Sequence, residues 1–159
     1  SSFINTMFLC FDRPEDRPHT LFWLWTQIGT IYLILIPMYI YFNAIEKVEL
    51  LFIPMLINGF GDGLAEPIGI RFGKHKYKTY ALFSKKKYVR SLEGSACVFI
   101  ASLISTMICF PFFSSVQFIV ALIAIPIIMT LAEAFSPHTW DNPFLYLVNA
   151  LLIVGILLI

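Results

Sequence analysis

The sequence predicts an all-α integral membrane protein with about five transmembrane helices. Three observations carry this. Of the 159 residues, 58% are hydrophobic and 13% charged, against roughly 25% charged in soluble domains, and mean hydropathy is +0.80. The apolar residues fall in continuous runs close to the roughly 20 residues that a spanning helix needs. Those runs do not alternate as barrel strands would, and backbone facing lipid must be hydrogen-bonded internally, so helices are the expected form. The length fits a single polytopic domain over 1–159.

The first span runs from Leu21 to Phe42, rich in Trp, Tyr and Leu, with Pro37 as a kink point. The second, Leu50 to about Ile70, is apolar in its first half; its second half holds Asp62, Glu66, Pro67 and four glycines. The third runs from about Leu92 to Phe113. The fourth runs from Val116 to Phe135 with Pro126 and Glu133, and the fifth, shorter, from Pro143 to Ile159. The first twenty residues include Asp12, Arg13, Pro14, Glu15, Asp16 and Arg17. A signal peptide needs a basic start followed by an apolar core, which is not this pattern. The chain has no initiator Met and stops inside an apolar run, which leads us to expect a missing first or last helix.

Orientation follows from the cations. Arg71, Lys74, Lys76, Lys78, Lys85, Lys86, Lys87 and Arg90, eight of the eleven Lys and Arg residues, fall in a basic loop over 71–91. Short loops rich in Lys and Arg stay in the cytoplasm. Counting spans from there puts the N-terminus and the 136–143 loop inside, and the 43–49 and 110–117 loops outside. Arg13 and Arg17 agree with an inside start. Asp62, Glu66, Glu93, Glu133 and Asp141, five of the ten acids, then converge on the cytoplasmic face beside nearly all the cations.

Acids in or beside apolar segments are costly and point to function. Asp62 and Glu66 are four apart and share a helix face, where two carboxylates can hold a divalent cation. Magnesium takes a few carboxylates with phosphate oxygens and water. The plainer reading is a solvated acid pair, or one paired with Arg71 or Lys74. Gly59, Gly61 and Gly63 precede Glu66, and Gly69 and Gly73 follow it. Glycine lets backbone approach a ligand or lets membrane helices approach each other, and Gly69-x-x-x-Gly73 fits the second use. These glycines serve either a homodimer or an intramolecular contact. A P-loop is excluded because its glycine spacing and its Lys-Ser/Thr pair are not met.

Lys74 and Lys76 directly follow the acid and glycine segment and are candidates to clamp phosphates. Otherwise the loop is a topology signal attracted to anionic lipid, which also accounts for the charge without nucleic acid. Ser91 is a candidate N-cap for the third span. With Gly94 and Ser95 it could present hydroxyls and amides to phosphate. Glu93 suits the positive end of that helix. Glu133 follows the apolar run from Val120 to Ala132, where an unpaired charge would be expensive. Asp141-Asn142 is either a turn before Pro143 or a ligand pair. His19, His75 and His138 read as interfacial side chains. Cys10, Cys97 and Cys109 lack the close-paired spacing of zinc sites, and the latter two read as small hydrophobes.

The chain resembles the membrane-embedded CTP-dependent lipid-alcohol kinases: dolichol kinase, phytol and farnesol kinases, and the yeast-type diacylglycerol kinase. The matching elements are Gly61-Asp62-Gly63-Leu64-Ala65, Gly69, Gly73-Lys74-His75-Lys76, Ser91-Leu92-Glu93-Gly94-Ser95, Glu133 and Asp141-Asn142, in the family's order over roughly 58–142. The family's basic element with a His ahead of its first helices has only a loose counterpart in Arg17-Pro18-His19. Related phosphatidate cytidylyltransferases carry a Lys-Arg pair, a later Lys-Asp and a His-Gly-Gly before an Asp, and this chain has none of these.

The resemblance implies CTP as co-substrate, Mg2+ or another divalent cation, and a lipid alcohol acceptor. It implies catalytic Asp62, Glu93 and Glu133, and metal ligands among Asp62, Glu66, Glu93 and Asp141. It implies nucleotide contacts from Gly61, Gly63, Gly69, Gly73, Lys74, Lys76, Ser91, Gly94, Ser95 and Asn142. The alternatives are a lipid cytidylyltransferase, a small ion-coupled transporter using Asp62 and Glu133, and a non-catalytic assembly subunit.

Overall fold

The computed structural model describes residues 18–80, 87–137 and 140–159. Cys10, Arg13, Arg17, Lys85, Lys86 and His138 lie outside the described residues. Three helices are long and apolar enough to cross a membrane: Thr20–Ala44, Val48–Phe72 and Ser115–Phe135. Leu92–Ile108 and Asp141–Leu157 are shorter apolar helices of 17 residues each. Five helical segments therefore occupy the five expected runs.

Helix α1, Thr20–Ala44, contains Pro37 and leaves through a Schellman turn. The amide of Lys47 donates to Phe42 O at 2.8 Å and that of Glu46 to Asn43 O at 3.2 Å. Glu46 takes the left-handed position at φ 57°, where glycine is the usual residue. The second span is composite. A 3₁₀ turn over Val48–Leu51 leads into α2, Phe52–Leu56. A π turn follows over Ile57–Asp62, and then α3, Gly63–Phe72. Such π turns inside α-helices are rare and frequent at functional sites.

The expected basic loop is in its described parts a two-stranded antiparallel ribbon, β1 over Lys76–Tyr80 and β2 over Lys87–Ser91. Lys76-Tyr77-Lys78-Thr79-Tyr80 alternates charged with aromatic or β-branched residues, the two-residue period of a strand with one sheltered face. Tyr77 is half-buried and Thr79 buried, while Lys76, Lys78 and Tyr80 are exposed. The register sets Tyr77 opposite Arg90 and Thr79 opposite Tyr88.

Helix α4, Leu92–Ile108, starts directly from β2. Its N-cap is Ser91, whose Oγ accepts from the Gly94 amide at 3.1 Å. The third span was expected to reach Phe113, but its helix ends at Ile108 and a 3₁₀ turn over Phe110–Phe112 follows. Pro111 in that turn has no amide to continue an α-helix. Helix α5, Ser115–Phe135, opens with a capping box between Ser114 and Gln117. Helix α6, Asp141–Leu157, closes the chain.

α4 packs against α5, α3 and the π turn, and α6 packs against α5 and α1. Among apolar helices in lipid, association rests on close van der Waals contact and small interfacial residues rather than on the hydrophobic effect. The glycines follow that logic. A Cβ on Gly61 would lie 3.3 Å from Ala101 Cβ, and one on Gly94 would lie 2.7 Å from Ala65 O. The second span and α4 thus meet backbone to backbone, and these glycines serve an intramolecular contact. The core behind them holds Phe42, Leu50, Ile53, Ile57, Val98 and Ile125, each fully buried. Outward-facing apolar residues such as Trp25 and Leu33 are 71% and 73% exposed, as lipid-facing positions would be. Cys97 and Cys109 are free thiols, Cys109 fully buried.

Candidate functional site at the ribbon end of the helices

At the end of the bundle that carries the ribbon lies a cavity of about 810 Å3, within the range of roughly 300–1,000 Å3 typical of ligand pockets. It draws residues from the second span, the ribbon, the start of α4, the end of α5 and the start of α6. Asp62 and Glu66 line it from the second span, Glu133 from α5, and Asp141 with Asn142 from α6. Four of the five acids expected to converge do meet there. Asp62 is the last residue of the π turn and Glu66 lies in the first turn of α3, so both present to one space as their spacing requires.

The other expected residues divide. Gly63, Gly69, Lys76, Ser91, Gly94 and Ser95 line the cavity. Gly61 does not; it is buried against Val98 and Ala101 of α4. Gly73 does not either, and a Cβ there would lie 2.1 Å from Gly69 O and 2.9 Å from Ser91 Cβ. Gly69 both lines the cavity and packs, since its Cβ would fall 2.6 Å from Ser91 Oγ. Gly94 is closed off on one side by Ala65 O. Lys74 is exposed and does not line the space.

Glu93 also stands outside the cavity lining. Its carboxylate faces the turn between α3 and β1. Oε1 accepts from the amides of Lys74 at 3.0 Å and His75 at 3.2 Å, and pairs with His75 Nδ1 at 2.9 Å. The amide of Leu92 donates to His75 O at 2.9 Å. Glu93 therefore joins the base of the ribbon to the helix that follows it, and His75, its side chain 73% exposed, has a specific partner there.

Glu133 is 1% exposed and is not a lone charge. It forms an ion pair with Arg90 Nη1. Arg90 Nη2 donates to Ser136 Oγ at 3.1 Å. Ser95 Oγ donates to Glu133 Oε2 at 3.4 Å and bonds Tyr77 OH at 2.7 Å. The network ties both strands of the ribbon to α4 and α5, forming one wall of the cavity. A buried charge is tolerable when paired and hydrogen-bonded in this way.

Several contributing residues had no role in the sequence reading. Arg90 counted only as one cation among eight. Asn58, Thr79, Tyr88 and Ser136 also line the cavity. Asn58 was legible as a polar residue inside an apolar run, and Thr79 as the inward position of an alternating strand.

Among the described residues no three His, Cys, Asp or Glu side chains are grouped closely enough to hold a metal ion between them. Asp62 and Glu66 are the acids whose helical spacing suits a shared ligand. One or two protein carboxylates are the usual number for magnesium bound with a nucleotide, whose phosphate oxygens and waters supply the rest. The cavity's donor set fits that kind of site and does not form a closed protein cage. Comparisons with protein-family models, with curated proteins and with solved structures give no match for this chain.

Proposed function

We propose that this chain is a membrane-embedded kinase that transfers the γ-phosphate of CTP to the hydroxyl of a lipid alcohol. One observation carries the reading. A single cavity collects acids from three helical elements, Asp62 and Glu66, Glu133, and Asp141, beside the cations Lys76 and Arg90, at one end of a bundle with many exposed apolar side chains along its helices. Ile70 and Val89 also line it and are 78% and 58% exposed. That gives the space an apolar lip beside a charged interior, which suits one greasy substrate and one highly charged one. The order of the motifs over 58–142 supplies the resemblance on which CTP rests.

In this reading Asp62 and Glu66 hold a divalent cation, which when bound would offset the charge of the triphosphate oxygens. Lys76 and the hydroxyl of Ser91 face the phosphates. Phosphoryl transfer depends mainly on positioning and charge stabilisation. The alcohol O–H bond breaks and its proton passes to a cavity carboxylate. The oxygen bonds to the γ-phosphorus as the bond from that phosphorus to CDP breaks, and CDP leaves. Arg90 holds Glu133 in place and closes the wall. Glu93 organises the turn that carries Lys74 and Lys76, and its role is to position them. The charge bias of the ribbon supports a cytoplasmic position for this end in this reading, where CTP is available.

The deciding experiment uses the purified protein in detergent with CTP labelled at the γ-phosphate, Mg2+, and a panel of prenols and diacylglycerol. Label should appear on the lipid with release of CDP. Release of pyrophosphate would identify a cytidylyltransferase instead, and no product with any acceptor would overturn the reading.

A further inference from the structure

Two residues that line the cavity each hold a buried side-chain oxygen with no hydrogen-bond partner among the described residues: Asn58 Oδ1 and Thr79 Oγ1. Their residues are 5% and 6% exposed. An orphaned buried acceptor is costly, so such atoms on residues that line a cavity mark where a ligand is expected to complete the bonding. Asn58 is the more specific of the two. Its Nδ2 donates to Pro54 O at 2.9 Å, which fixes the amide orientation and leaves Oδ1 as an acceptor with no donor role. What it meets must therefore be a donor, so a phosphate or carboxylate oxygen is excluded.

Asn58 also lies on the apolar side of the acids. It precedes Asp62 by four residues within the π turn, on the side of the helix leading away from the ribbon and its cations. Its neighbour Phe60 is 61% exposed on the outer surface of the span. The triphosphate belongs at the cationic end with Lys76 and Thr79. The donor reaching Asn58 comes from the apolar side.

We infer that Asn58 Oδ1 accepts a hydrogen bond from the hydroxyl of the lipid alcohol and sets where that hydroxyl rests before transfer. This rests on the kinase reading above. As a neutral amide, Asn58 takes no proton; the proton leaves to a carboxylate when the oxygen attacks phosphorus.

The test needs no turnover. Equilibrium binding of tritiated farnesol and of 1,2-dioctanoylglycerol to the detergent-solubilised protein is compared with binding of their methyl ethers, which keep the oxygen but cannot donate. The wild-type protein should bind at least one alcohol about tenfold more tightly than its ether, the size of a single buried hydrogen bond. In Asn58→Leu, close in volume, that ratio should fall to about one while the ether binds as before. Asn58→Ala serves the same purpose if the leucine variant does not fold. Thr79→Val should keep the wild-type ratio. Retention of the preference in the Asn58 variants, or its loss in Thr79→Val instead, would overturn the assignment while leaving a lipid-alcohol protein standing. Equal binding of alcohol and ether by the wild type, or none of either, would overturn both this inference and the acceptor on which it rests.

Discussion

Arg90 and Glu133, 43 residues apart in sequence, form an ion pair between the second strand of the ribbon and the last turn of α5. The two partners are unequally placed: the Arg90 side chain is 26% exposed and that of Glu133 2%. Removing one partner of a buried pair leaves an uncompensated charge, at a cost of about 3–5 kcal/mol when that charge is fully buried. Arg90→Met should therefore destabilise the protein by about 3 kcal/mol in detergent unfolding. Glu133→Gln should cost about 1 kcal/mol, since Arg90 can turn toward water. The double variant Arg90→Met/Glu133→Gln should recover much of the loss, and its double-mutant cycle with the two single changes gives the coupling directly. Equal effects of the two single changes would refute the asymmetry.

Close backbone approach makes a second prediction. Gly69→Ala and Gly94→Ala would each drive a Cβ to within 2.6 Å of Ser91 Oγ and 2.7 Å of Ala65 O respectively. Overpacking of this kind costs about 1–3 kcal/mol. The backbone carbonyl opposite Gly94 cannot swing aside as the Ser91 hydroxyl can, so Gly94→Ala should be the worse of the two. Gly155, within α6, has no heavy atom of the described residues within 4 Å of where a Cβ would stand. Gly155→Ala should stabilise by about 0.5–1 kcal/mol through lost backbone freedom in the unfolded chain. Thermal unfolding midpoints of the three variants against wild type provide the check.

The helices were legible because their apolar runs are long and continuous. Leu21–Phe42 and Val116–Phe135 fall within two residues of the ends of α1 and α5. The convergence of Asp62, Glu66, Glu133 and Asp141 was legible from span counting alone, since an even number of crossings returns the chain to one side. The ribbon was hidden because the cations of 71–91 already had an explanation as a topology signal. The alternation Lys76-Tyr77-Lys78-Thr79 went unread beneath it. The π turn was not legible: Asn58-Gly59-Phe60-Gly61 reads as a weakened helix, and the extra residue per turn depends on contacts with α4. The partner of Glu133 was out of reach for the same reason. Pairing with Arg90 rather than with a neighbour within one turn is set by tertiary packing, and each residue alone suggested a different use.

Asp62 supplies the sharpest functional prediction. Asp62→Asn keeps the shape of the side chain at the end of the π turn and removes its charge. It should abolish CTP-dependent phosphorylation of the lipid, to below about 1% of wild type, on the basis that electrostatic stabilisation of a transferring phosphoryl group is commonly worth two or more orders of magnitude. The unfolding midpoint should stay close to that of wild type. Near-normal turnover would remove Asp62 from the proposed chemistry, and rescue at high Mn2+ would assign it to the cation rather than to the proton.

Glu93 should behave differently, because its carboxylate receives the amides of Lys74 and His75 and the ring of His75. Glu93→Ala leaves the turn between α3 and β1 without its acceptor. Hydrogen exchange at the amides of residues 74 and 75 should accelerate by at least tenfold, because those amides lose the acceptor that protects them. Trypsin should cut after Lys74 sooner than in the wild type. Glu93→Gln, which keeps one oxygen to accept, should show a smaller change in both measurements. In the transfer assay the alanine variant should raise the KM for CTP through displacement of Lys76, with kcat within about tenfold of wild type. That pattern belongs to uniform loss of substrate binding. A fall in kcat as deep as that of Asp62→Asn, with exchange at 74 and 75 unchanged, would instead make Glu93 a direct participant in the transfer.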